Sequence, residues 1–159
     1  MPEYFTTEDF RQKMIQKFRA WGRDGNYPGT PSKIFEMFYD VSVVTTYDDK
    51  KQHVIADFGM YNESDYSGTK IIDYILMRFT GLFDKNGKDI FEGDIVVNQY
   101  GDVGYIAYLQ QEAGFVVVMK KGDYRLGHRN TGESYDVATN HEIIGNIFEN
   151  SGLLERVVQ

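Results

Sequence analysis

Asp89, Glu92 and Asp94 stand close together in the run Asp84-Lys85-Asn86-Gly87-Lys88-Asp89-Ile90-Phe91-Glu92-Gly93-Asp94. Three carboxylates at this spacing are the residue types of an acid/base pair or a Mg²⁺ cluster. On a strand, Glu92 and Asp94 would share one face, because side chains alternate. The run also has the look of a calcium loop, which needs Gly at its sixth position and Glu at its twelfth. Counted from Asp84, those positions hold Asp89 and Ile95. A polar turn leading into an apolar strand explains the same residues without any activity, and is the preferred reading.

Other reactive groups are sparse. The histidines, His53, His128 and His141, are far apart, and there is no Cys. No serine lies in a Gly-x-Ser-x-Gly elbow. There is neither a Walker loop nor a Gly-x-Gly-x-x-Gly. Gly101-Asp102-Val103-Gly104 has the outline of a nucleic-acid-binding GXXG loop, but its flanks read as strands and Asp102 would oppose phosphate. A hairpin turn is expected there. No catalytic residue, no metal site and no cofactor is assigned.

Binding chemistry is better represented. Lys120 to Arg129 holds Lys120, Lys121, Arg125 and Arg129 beside Tyr124 and His128, a pairing of charge and stacking that suits a single strand or an anionic peptide. Arg11, Lys13, Lys17, Arg19 and Arg23 form a second basic group around Trp21, the one tryptophan. A tryptophan near a turn is either an interface anchor or core. Tyr100, Tyr105 and Tyr108 lie on or near predicted strands and add aromatic surface. The candidate binding residues are therefore Trp21, Tyr100, Tyr105, Tyr108, Tyr124, Arg125, His128 and Arg129.

The elements that must position these groups are mostly strands. Thr6 or Thr7 is a candidate cap for a short helix over 6–18, with Phe10, Met14 and Phe18 on one face. Ile15 to Trp21 reads equally well as a strand. Gly22 to Asn26 reads as a turn. Phe35–Thr46 and Gln52–Met60 are predicted strands, and the polar segment 62–69 a linker. Lys70–Phe79, Ile90–Asn98, Val103–Gln110, Phe115–Lys120 and Glu142–Glu149 are further strands, with a turn at Asp84–Gly87. The long polar stretch 120–141 has room for a hairpin around 133–137. This pattern predicts a mostly β protein in two parts. Residues 1–69 hold the short helix and a β-rich region; residues 70–159 form a small SH3-like β-barrel.

Composition sets the outer bounds. The chain has 159 residues with 42% hydrophobic content, enough for a real core. The absence of Cys removes disulfides and thiolate metal sites. The acidic start MPEYFTTEDF lacks a signal-peptide core, and no apolar run nears the roughly 18 residues of a membrane span. A cytoplasmic protein without membrane contact is expected. The formal net charge of −7 disfavours non-specific binding to nucleic acid.

Two stretches carry a specific resemblance: Arg78–Val97, RFTGLFDKNGKDIFEGDIVV, and Glu142–Leu154, EIIGNIFENSGLL. A weaker match comes from Lys17–Trp21, KFRAW, and Met37–Val41, MFYDV. In this order and spacing they resemble the YopX family of phages and prophages of Gram-positive bacteria, from about Phe18 to Leu154. The segment through about Gln16 departs from the family pattern, and 42–69 matches only in general character. The resemblance implies a β-rich fold with an SH3-like barrel and a phage-related origin. It brings no catalytic residues. The expected function is that of a phage accessory protein acting as a non-enzymatic protein-binding module, with a host or phage protein or a second copy as partner. A nucleic-acid-binding regulator and an enzyme with a carboxylate site are the alternatives.

Overall fold

Alternating and continuous apolar runs become strands throughout the chain. The computed structural model describes residues 16–45, 48–60, 65–120, 122–126 and 140–154, with Thr7 and Asn62. Its strands are β1 (Phe18–Asp24), β2 (Glu36–Thr45), β3 (Gln52–Met60), β4 (Tyr66–Phe83), β5 (Asp89–Phe91), β6 (Asp94–Val97), β7 (Val103–Leu109), β8 (Gly114–Met119), β9 (Tyr124–Arg125) and β10 (Glu142–Asn146). Every pairing among them is antiparallel. The expected mostly β class holds. The chain divides into two units, Met1–Arg78 and Phe79–Gln159.

In the first unit the pairing runs full circle. β1 pairs with β2, β2 with β3, β3 with β4, and β4 back with β1. Ala20, Val41, Val54, Ala56 and Ile71 are buried together, with Phe18, Phe38 and Leu76 packed against them. A four-stranded ring must bend sharply, and three bulges supply the bend. They fall at 39–40 in β2, 57–58 in β3 and 73–74 in β4. Each contains an exposed Asp in the left-handed region: Asp40 (φ 54°), Asp57 (φ 53°) and Asp73 (φ 50°). Asp visits this region more readily than most L-residues, which meet a cost of about 1–2 kcal/mol there. Asp57→Val is therefore expected to lower stability by about 1–2 kcal/mol, and Asp57→Gly to leave it nearly unchanged. Urea unfolding of the two variants measures the difference.

Several sequence expectations need correction here. The short N-terminal helix falls on residues outside those described, except Thr7 and the segment from Gln16; Phe18 is already strand. Gly22 is not a turn residue but a close-packing one. A Cβ there would lie 2.7 Å from Ile71 Cγ2 and 2.9 Å from the Ile72 carbonyl oxygen. The turn starts at Gly25. The last four residues of the polar segment 62–69 belong to β4.

The second unit forms a sheet of order β10-β6-β7-β8-β9, with β5 paired to the end of β4. No β9–β10 pairing closes this sheet among the described residues, where a closed SH3-like barrel was expected. Ile95 and Val96 are adjacent in sequence, point to opposite faces, and are both buried; so are Val116 and Val117. The sheet is thus covered on both faces, which is why its strands read as unbroken apolar runs. The predicted strand Ile90–Asn98 is split at Glu92-Gly93, where Gly93 takes φ +86° and donates its N–H to the Ile106 carbonyl at 2.8 Å. The predicted strand Glu142–Glu149 stops at Asn146, whose Oδ1 accepts the N–H groups of Phe148 (3.0 Å) and Glu149 (2.9 Å) and so bends the chain. The hairpin expected near 133–137 lies outside the described residues.

Candidate functional site

In β1, Phe18 and Ala20 point into the ring, so Trp21 and Arg23 point out. Cross-strand register sets Trp21 between Met37 of β2 and Ile75 of β4. Residues directly opposite on one face come within about 5 Å at Cβ. The Trp21 ring stacks on Phe35, with centroids 6.3 Å apart and planes at 26°. Around this row, Ile34 is 70%, Tyr39 56%, Ile75 50% and Phe35 44% exposed.

Arg23 holds the loop that presents Ile34 and Phe35. Its Nη1 donates to the Ser32 carbonyl at 2.9 Å, and Nε donates to Asp73 Oδ2 at 3.0 Å, with Nη2 bonded to the same oxygen. Its guanidinium carbon stands 5.9 Å from the Phe35 ring centroid. Ser32 is buried, donates its N–H to the Asp24 carbonyl at 2.8 Å, and accepts the Ile34 N–H at 3.1 Å. These bonds hold the loop in place.

The other candidate residues are spread over the second unit. Tyr100 sits at the tip of the β6–β7 turn, 79% exposed. Asn98 Oδ1 forms that turn by accepting the N–H groups of Tyr100 (2.9 Å) and Asp102 (3.0 Å). Tyr105 and Tyr108 lie on β7, half-buried; Tyr108 meets Phe115 edge-on at 5.3 Å. Tyr124 on β9 hydrogen-bonds its hydroxyl to Nε2 of the buried His141, and the rings lie 5.7 Å apart. Burial pushes the Tyr124 hydroxyl up to about 12; a hydrogen bond with Asn98 opposes the rise and the charge of Asp102 adds to it. This phenol stays protonated at neutral pH. Arg125 shares β9, paired opposite Val116. His128 and Arg129 lie outside the described residues. Of the N-terminal basic group, Arg19 is 3% exposed and Arg23 is ion-paired, while Arg11 and Lys13 lie outside the described residues.

Asp94 and Asp84 serve the backbone. Asp94 Oδ2 accepts the Phe91 N–H at 2.8 Å and closes the β5–β6 turn, so Glu92 and Asp94 do not sit on one continuous strand. Asp84 Oδ1 accepts from Asn86 (2.8 Å) and Lys88 (2.9 Å), and Oδ2 from Ile143 (3.1 Å). Burial alone would raise the Asp84 pKa; the backbone donors of Lys88, Ile143 and Asn86, with the charge of Lys88, outweigh it and hold the carboxyl below its usual range. Among the described residues no group of three or more His, Asp or Glu is placed to hold a metal ion. No helix among them is long and apolar enough to cross a membrane.

Sequence reading found Trp21 but missed Ile34, Phe35, Tyr39 and Ile75. The alternation of Trp21 and Arg23 with Ala20 and Gly22 was a visible signal of an outward row, although Arg19, the next residue on that side, is buried. Which residues flank it depends on strand register, which no local pattern carries.

Fold and site together define a mostly β, antiparallel protein of two units, with an ordered apolar sheet face and with Asp84 and Asp94 engaged by the backbone. The chain belongs to the YopX family: the family model described as YopX protein matches residues 17–155. A similar solved structure is that of protein EF1440 from Enterococcus faecalis. The two share 27% sequence identity with a TM-score of 0.53, over 88% of this chain and 98% of that one. No curated protein matches this chain.

Proposed function

We propose that the protein is a non-enzymatic, phage- or prophage-encoded accessory protein that binds another protein through the sheet face centred on Trp21. The observation that carries this reading is the outward row Met37–Trp21–Ile75, half-buried at Met37 and Trp21 and exposed at Ile75, extended by the exposed Phe35 and Ile34 and braced by Arg23. Contiguous exposed apolar surface with an aromatic centre is characteristic of protein interfaces. A braced loop also reduces the entropy lost on binding. Burial of Arg19 and pairing of Arg23 with Asp73 leave this face a poor match for phosphate, which favours a protein over a nucleic acid.

The test is affinity capture of the tagged full chain from host cells, in parallel with Ile75→Asp. Ile75 is half-exposed on an outer strand position, so the substitution spares the core. A protein recovered in stoichiometric amount with the wild type and lost with the variant is the expected result. Equal recovery with both chains would place binding elsewhere.

A further inference from the structure

We infer that Asn86 is a site of covalent self-modification, deamidation through a cyclic imide, and that the hydrogen bonds of the Asp84 turn set its rate.

Asn86-Gly87 is the one Asn-Gly pair in the chain. In this reaction the Gly87 nitrogen gives its proton to solvent and attacks Asn86 Cγ. The N–Cγ bond forms, the Cγ–Nδ2 bond breaks, and the side-chain nitrogen leaves as ammonia. Water then opens the five-membered ring at either carbonyl, giving Asp or isoAsp at position 86. Water is the only co-reactant, and nothing is oxidised or reduced. Glycine suits the attacking position because it brings no Cβ into the approach. Asn86 and Gly87 are both exposed, and no atom lies within 4 Å of where a Gly87 Cβ would stand. Solvent and space are thus available at the reacting atoms.

The turn withholds the nucleophile. The Gly87 N–H donates to the Asp84 carbonyl at 3.0 Å. Closing the ring means rotating the Asn86–Gly87 peptide, which breaks that bond and drags Lys88 with it. Lys88 is held twice: its N–H donates to Asp84 Oδ1 at 2.9 Å, and its carbonyl accepts the Asp84 N–H at 2.9 Å. The Asn86 N–H is held by the same Oδ1 at 2.8 Å. The imide therefore forms from the opened turn, at the intrinsic rate scaled by the fraction of time the turn is open. Asp84 is buried and its Oδ2 accepts the Ile143 N–H, so β10 steadies the closed state. An isoAsp product adds one carbon to the main chain inside the turn, and Oδ1 then no longer spans positions 86 and 88. Modification removes the bonds that had slowed it.

The experiment is peptide mapping by mass spectrometry of the full chain held in mildly alkaline buffer, following the amide-to-acid mass gain at position 86. Four samples run beside the folded wild type: the wild type unfolded in urea, Asp84→Ala, Asp84→Asn and Gly68→Ala. The last strains the first unit only, and controls for stability lost away from the turn. Asp84→Asn guards against unfolding of the second unit by alanine. The expected result is deamidation at least about tenfold faster in urea than in the folded wild type, a step of one decade in the closed-to-open ratio. Asp84→Ala should recover most of that rate, Asp84→Asn part of it, and Gly68→Ala none. A folded wild type that reacts as fast as the unfolded chain overturns the inference. So does an unfolded chain that leaves Asn86 intact, an Asp84→Ala chain as slow as the wild type, or a Gly68→Ala chain as fast as Asp84→Ala.

Discussion

Asp84→Ala is expected to destabilise the protein by about 2–4 kcal/mol through lost hydrogen bonds. The side chain is 3% exposed and accepts three backbone N–H groups, from Asn86, Lys88 and Ile143. The first two orient the turn between β4 and β5. The third reaches a strand 59 residues away. Alanine leaves all three donors without their acceptor, the third of them within β10. Asp84→Asn keeps one acceptor oxygen and should lose about half as much.

The pH dependence follows from the sign of the shift. Asp84 has a folded pKa below its unfolded value of 3.8, so the unfolded chain binds the proton more readily. The stabilisation is fully present above the unfolded pKa and is lost as pH falls through the folded one. The gap in urea midpoint between wild type and Asp84→Ala should be widest near neutral pH and shrink below about pH 3.8. A gap that stays constant would mean the carboxylate charge is not what these donors hold.

This contact also explains what the two signature motifs are for. The Lys85 N–H donates to the His141 carbonyl at 2.8 Å, Lys85 Nζ stands 3.2 Å from Glu142 Oε2, and the Ile147 N–H donates to the Gly93 carbonyl at 2.9 Å. DKNGKDIFEGD and EIIGNIFEN are thus two halves of one clasp. The clasp occupies backbone groups at 141, just before β10, and at 143 within it, an edge strand that would otherwise be open to further pairing. Sequence spacing had offered the first half as a carboxylate cluster. The clasp was invisible because its partner lies at long range.

Legibility divided along the same line. Gln52–Met60 was readable to the residue, since polar turns bracket an apolar run. The split at Gly93 was not, because a positive φ inside Phe-Glu-Gly-Asp is set by the Ile106 carbonyl in another strand. A local signal did exist for the bulges: a lone Asp inside each of FYDV, ADFG and IDYI. Those aspartates give the ring its bends, and the bend in β4 brings Asp73 to Arg23 beside Trp21. Register is tertiary information, so the face itself could not be read in advance.

Gly68→Ala tests that ring most directly, and should cost about 3 kcal/mol. Gly68 lies in β4 opposite the bulge at 57–58 of β3. A Cβ there would sit 2.3 Å from Ile55 Cγ2 and 2.9 Å from the Ala56 carbonyl oxygen, and the residue has φ +146°. Ile55 and Ala56 are buried, so neither can withdraw without opening the core. Overpacking costs about 1–3 kcal/mol, and the unfavourable backbone conformation adds about 1 kcal/mol or more. Gly59→Ala is the control on the partner strand, since a Cβ there would stay at an ordinary 3.6 Å from Ser67 Oγ. It should cost less than about 1 kcal/mol. Trp21 emission during urea unfolding reports the first unit for both variants. Equal midpoints would mean that β3 and β4 do not meet around this bulge, and that the ring holding the Trp21 face is paired differently.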